Sequence, residues 1–245
     1  MSDHWSFYLK QVEAKPASIL LDLGIAQSVP LAGYTHLGEI RLEMLSPRPD
    51  GLSSNEEFQA LADLEDAVMP MILSATSAIH VGRMTTGGNR NFYFYTGDPD
   101  AFGHAAAAAM GAHPNYRYEI ATTLDMGWLA YTRLLYPSED DRQHIENRDL
   151  IATLEDKGDR VDIPREIDHH IKFADPITRR GFVEHTRKMG FRVLQEDFDL
   201  VGRFRLTIGR QDRPVDMVDI AFKLYKDAKN FGGDYDGWGC IMVTE

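Results

Sequence analysis

One order of elements occurs twice in this chain, and that repetition restricts its fold more than any other feature. From Tyr34 onward the pattern predicts strand, helix, strand, strand, helix, strand, and after Pro164 the same order returns. In the first copy, Tyr34 to Leu45 alternates apolar and polar residues up to Pro47. Ser53 and Ser54 each precede a glutamate by three residues, Glu56 and Glu57, which predicts a capping box opening a helix that Pro70 kinks. Ile79 to Thr86 and Asn89 to Thr96 flank Gly87-Gly88, a hairpin signature. Asp98-Pro99 starts a second helix that stops at Gly111, and Tyr116 to Thr123 completes the set. Trp5 to Val12 and Ser18 to Ile25 add a hairpin in front.

In the second copy, Ile167, His169, Ile171 and Phe173 alternate with Asp168, His170 and Lys172, as in a half-buried strand. Asp175-Pro176 caps a helix that ends at Gly190. Two strands follow, Phe191 to Asp199 and Gly202 to Gly209, then a helix from Pro214 to Phe231 and a last strand from Tyr235 to Thr244. The expected fold is therefore α+β: two tandem ferredoxin-like sandwiches with antiparallel sheets, the first with an added N-terminal hairpin. Trp128 to Tyr136 fits a strand or a helical turn equally, and Glu139 to Leu154 reads as a polar helix.

Charge divides the chain as the pattern does. The net charge is −12, yet residues from Ile163 on carry 14 Lys plus Arg against 14 Asp plus Glu, so all the excess acid lies before them. This places a boundary near Gly158 to Pro164, giving an acidic domain at 1–158 and a neutral one at 163–245. An acidic surface repels phosphate, which argues against nucleic-acid binding by the protein as a whole. The longest apolar runs fall far short of the roughly 18 residues that span a bilayer. With no secretion signal at Met1 to Trp5 and a single Cys240, the expected location is cytoplasmic.

No constellation here predicts an active site. His169 and His170 are adjacent on a strand, so they point to opposite faces and do not converge on one metal. His169 shares the face of Ile167, Ile171 and Phe173 and reads as a hydrogen-bonded core histidine. Asp168, His170 and Lys172 lie on the other face, joined by Arg203 and Arg205 from the neighbouring segment because Phe204, Leu206 and Ile208 take the core. In a sandwich with helices on one side, that polar face is the open one, where RNA-binding domains of similar topology display aromatics beside basic residues. Trp238 fits either face. Cys240, beside Ile241 and Met242, reads as core, and the Gly-Gly pairs read as turns rather than phosphate cradles. No catalytic residue, metal ligand or cofactor is expected.

The run Pro164-Arg165-Glu166-Ile167-Asp168-His169-His170-Ile171-Lys172-Phe173 and the ending Gly232-Gly233-Asp234-Tyr235-Asp236-Gly237-Trp238 resemble the RraB family of ribonuclease E inhibitors. Trp5-Ser6-Phe7-Tyr8, Pro49-Asp50-Gly51-Leu52, Val81-Gly82-Arg83 and Phe92-Tyr93-Phe94-Tyr95 resemble an uncharacterised domain family, domain of unknown function 695, often fused to RraB-type domains. The resemblance implies a ferredoxin-like second domain, no catalysis, and regulation by binding the scaffold region of ribonuclease E or a related RNA-processing partner. Asp168, His170, Lys172, Arg203, Arg205 and Trp238 are the expected partner-binding residues. Two other functions compete: single-stranded RNA binding on the same open face, and an unrecognised enzyme with its site at the domain junction.

Overall fold

The computed structural model describes residues 4–200 and 202–244 of the chain. They divide into two compact domains at Asp141/Arg142.

In the first domain, β1 (Trp5–Val12) and β2 (Lys15–Asp22) form the added hairpin. Its turn is Glu13-Ala14, with φ of 50° and 62°. Both residues are left-handed, as a tight two-residue turn requires. The second strand consequently begins three residues before the expected Ser18; neither turn residue is the glycine or asparagine that normally announces such a turn. The remaining elements are β3 (His36–Glu43), α1 (Asn55–Ala75), β4 (Ile79–Thr86), β5 (Asn89–Thr96), α2 (Pro99–Met110) and β6 (Tyr118–Leu124). The sheet order is β1-β2-β4-β5-β3-β6 with antiparallel neighbours throughout. Without the hairpin this is the ferredoxin-like order.

The capping box is present, with a difference. Ser54 Oγ accepts from the Glu57 amide at 3.3 Å, but the buried Glu57 carboxylate accepts from the amides of Leu45 and Ser46 at 2.8 and 2.7 Å. It thus ties the helix start to the chain leaving β3. Leu61, Val68 and Ile72 of α1 and Phe102, Ala106 and Ala109 of α2 bury against Ile40, Leu42, Phe92 and Phe94. Gly38 lets α2 approach, since a Cβ there would meet the Phe102 ring at 2.5 Å. On the opposite face, Trp128 lies flat on Tyr95 at 3.8 Å, and Ala130–Leu135 forms a short π-helix. Tyr131 and Tyr8 donate to the carbonyls of Asp22 and Leu135 at 2.6 and 2.7 Å. The segment that the sequence leaves undecided is therefore a lid over the second face of the sheet, and its aromatics are core.

The second domain contains α3 (Glu139–Asp156) for most of its length, β7 (Arg165–Phe173), α4 (Pro176–Lys188), β8 (Arg192–Phe198), β9 (Phe204–Asp212), α5 (Met217–Asn230) and β10 (Gly233–Cys240). Its sheet order, β10-β7-β9-β8, is ferredoxin-like and antiparallel. The division lies upstream of the expected 158–164 boundary for a packing reason. Ile151 and Leu154 of α3 join the second core, and the His144 ring stacks on Phe222 at 3.9 Å. Charge balance follows composition, whereas packing follows which core a helix's apolar residues enter.

Candidate functional site

The core of the second domain sorts the residues of β7. Ile167, His169, Ile171 and Phe173 are at most 1% exposed. His169 Nδ1 lies 2.7 Å from the Tyr235 hydroxyl, and the ring meets Phe191 edge-on at 5.5 Å. Burial, then the charges of Arg210 and His170, lower its pKa to about 3. It is a neutral core histidine.

The alternate residues of β7 point to the side of the sheet away from this core. Register brings Asp168 opposite Gly209, His170 opposite Thr207 and Lys172 opposite Arg205. His170 is exposed, with Nδ1 3.2 Å from Thr207 Oγ1. Lys172 meets Asp236 at 2.5 Å. Arg205 grips Asp197 through two bonds of 2.7 Å, and this guanidinium holds the Asp197 carboxyl below the usual range. Arg203 meets Asp199 at 2.8 Å and approaches Asp234 at 3.9 Å. Arg192 pairs with Glu166 at the other end of the sheet. Asp168 is half-buried and has no ion-pair partner among the described residues. Five of the six expected residues thus gather on one surface.

The sixth does not. Trp238 is 7% exposed and lies on the core face opposite His169, where its Nε1 donates to Asn147 Oδ1 at 3.0 Å. It offers no surface to a partner. The cause is an irregularity in β10: pairing with β7 is in register through Tyr235 and resumes, shifted, at Trp238. Gly237 within it has φ of 98°, a conformation open to glycine. Simple alternation from Tyr235 would have sent Trp238 to the open face; the extra residue returns it to the core.

The carboxylates that neutralise this surface were not among the expected site residues. Asp199 meets Arg203 within the turn between β8 and β9, whereas Asp197 comes from β8 and Asp234 and Asp236 from β10, and sheet pairing brings these three beside Arg205, Arg203 and Lys172. The alternation of Arg192 to Phe198 was the available signal for Asp197. Among the described residues of the four strands, no Phe, Tyr or Trp faces this side; Leu194, 38% exposed and lying over Gly209, supplies an apolar spot. The arrangement is a set of surface ion pairs around a hydrogen-bonded imidazole. Among the described residues, no three His, Cys, Asp or Glu are grouped to hold a metal ion.

The comparisons with known proteins divide the chain in the same way. Residues 3–136 match a family model described as a family of unknown function, DUF695, and residues 144–240 match one described as regulator of ribonuclease activity B, RraB. No curated protein matches the chain. Among solved structures, a crystal structure of an unknown protein from Galdieria sulphuraria aligns over 82% of this chain and 96% of that one, at 12% identity and a TM-score of 0.21. That likeness is too low to carry an argument. By the model that spans more than half of its length, the chain belongs to the DUF695 family, and it joins to that domain a second one that matches RraB.

Proposed function

We propose that this protein is a non-catalytic regulator that binds an RNA-cleaving enzyme, ribonuclease E or a relative, through its second domain. The observation that carries the proposal is the match of residues 144–240 to a regulator of ribonuclease activity. The open sheet face is the proposed contact, with Asp168, His170, Lys172, Arg203 and Arg205 as its recognition residues. Their ion pairs favour a protein over a polyanion: Lys172, Arg203 and Arg205 already face carboxylates, which a phosphate would have to displace, whereas a protein partner can supply both signs of charge. Among the described residues no helix is long and apolar enough to cross a membrane, and a cytoplasmic location suits the role.

The test is binding of the full-length chain to purified ribonuclease E, read together with the cleavage rate of a fluorogenic RNA. Slowed cleavage and a stable complex are expected, both weakened at least about tenfold by His170→Glu/Arg205→Glu, since the charge pairs at a contact govern its specificity. Absence of binding together with an unchanged cleavage rate overturns the proposal.

A further inference from the structure

Each sheet ends in two strands with one open side, which offers unpaired N–H and C=O groups to any strand that arrives. Among the described residues, three of these four edges carry a device against such pairing. β8 has Arg192, Glu196, Asp197 and a shift of register, β10 has Asp234, Asp236 and a shift of register, and β1 has Lys10 within it. β6 is different. It pairs with β3 through seven consecutive residues without a shift, and from Ile120 to Leu124 it holds no charge, proline or glycine. Ala121, Thr122, Thr123 and Leu124 are exposed, Leu124 at 63%.

We infer that the edge of β6 binds the same edge of a second copy of this chain, joining the two six-stranded sheets into one across a two-fold axis. Backbone direction limits the register. The Glu43 amide donates to the Arg117 carbonyl and the Asp125 amide to the Thr35 carbonyl, so the odd-numbered residues of β6 direct their amides toward β3. Tyr118, Ile120, Thr122 and Leu124 consequently direct theirs outward. In an antiparallel joint, outward residues must face outward residues. The register that uses the whole strand places Tyr118 opposite Leu124 of the second copy, Ile120 opposite Thr122, and Ala121 opposite itself. It forms about eight backbone hydrogen bonds.

Charge complementarity selects a second copy as the occupant and favours that same register. The exposed Arg117 comes opposite Asp125 of the second copy, and the two-fold axis makes this pair twice. The next allowed register on one side sets Glu119 against Asp125, and the next on the other side sets Arg117 against Thr123, so both lose the match. On the helix side of the sheet Leu124 meets Tyr118, which covers the exposed leucine. After Asp100, α2 has no Asp, Glu, Lys or Arg, so the helix that packs over β3 and β6 brings no fixed charge to repel its copy. The joint lies in the first domain and does not rest on the ribonuclease contact proposed for the second.

Sedimentation velocity of the full-length chain between about 1 and 100 μM tests this with no ribonuclease present, and a species of twice the 27.7 kDa chain mass should grow with concentration. Ala121→Lys sets two ammonium groups face to face on the axis and should weaken association at least about fivefold, as should Arg117→Glu, which faces Asp125 with like charge. Thr122→Pro removes an outward N–H from each copy and leaves the bonds to β3 intact, so it should weaken association at least about tenfold. Leu9→Lys on the β1 edge should leave association unchanged. Unchanged circular dichroism establishes that each variant is folded. In a Cys240→Ser background, oxidised glutathione should cross-link Ala121→Cys to its copy, because facing residues of a non-hydrogen-bonded pair have Cα atoms about 4.5 Å apart. Thr123→Cys should not cross-link, since the same register sets its two copies about 14 Å apart. A single-chain mass at every concentration, a dimer that Ala121→Lys leaves intact, equal loss from Leu9→Lys, or equal cross-linking at the two cysteine positions overturns the inference.

Discussion

The indole nitrogen of Trp238 donates a 3.0 Å hydrogen bond to the side-chain oxygen of Asn147, joining the last strand of the second domain to its first helix. Both residues are buried, so the bond has no ready substitute in water. It also makes α3 part of this domain and removes the tryptophan from the surface.

Asn147→Leu leaves the Trp238 N–H without its acceptor and should cost about 1–3 kcal/mol, as burying an unpaired donor does. Trp238→Phe should cost a similar amount. The double replacement should cost less than the two together, because no unpaired partner then remains. Urea unfolding of the three variants measures the difference; strict additivity would mean that the bond contributes nothing.

Gly237→Ala should destabilise the second domain by about 1 kcal/mol or more, since alanine resists the φ of 98° that the β10 irregularity needs. Gly239→Ala is the matched control. It has open space around its Cα and no positive φ, so it should be nearly neutral. Thermal unfolding of both variants checks the contrast, and equal melting temperatures would refute this account of the register shift.

Acid should destabilise both domains. Burial lowers His169 to about 3 and is the main reason that His80 is lowered to about 4. An unfolded histidine takes its proton near 6.5, so below that pH the unfolded chain binds a proton that the folded one refuses. Stability is therefore fully present above about pH 6.5 and is lost at about 1.4 kcal/mol per pH unit for each group on the way down to its folded value. Denaturant titrations between about pH 7 and 4 measure the slope, and His169→Gln should remove one proton's share of it.

Glu57→Gln should destabilise the first domain by about 1–3 kcal/mol. The carboxylate accepts from the amides of Leu45 and Ser46, whereas a carboxamide has one accepting oxygen and turns its NH2 toward the other donor. Hydrogen exchange at those two amides should quicken in the same variant, and unchanged protection would remove Glu57 as the tether.

Local pattern was enough to establish the fold class. The repeated order of elements, the Ser54 cap, the Gly87-Gly88 turn and the apolar alternation of β7 are all read within about ten residues of chain, the range over which periodicity and capping act. Opposite faces for His169 and His170 followed from strand geometry alone. Three matters were decided only by the tertiary structure. The register shift at Gly237 sent Trp238 inward, although two-residue alternation through Tyr235 points it outward. Sheet pairing set Asp197 and Asp236 against Arg205 and Lys172, although the members of each pair come from different strands. Packing of Ile151 and Leu154 into the second core put α3 in the second domain, although charge balance groups it with the acidic first part of the chain. Composition sums over the chain, whereas a surface depends on direction, and direction is set by contacts between residues far apart in sequence.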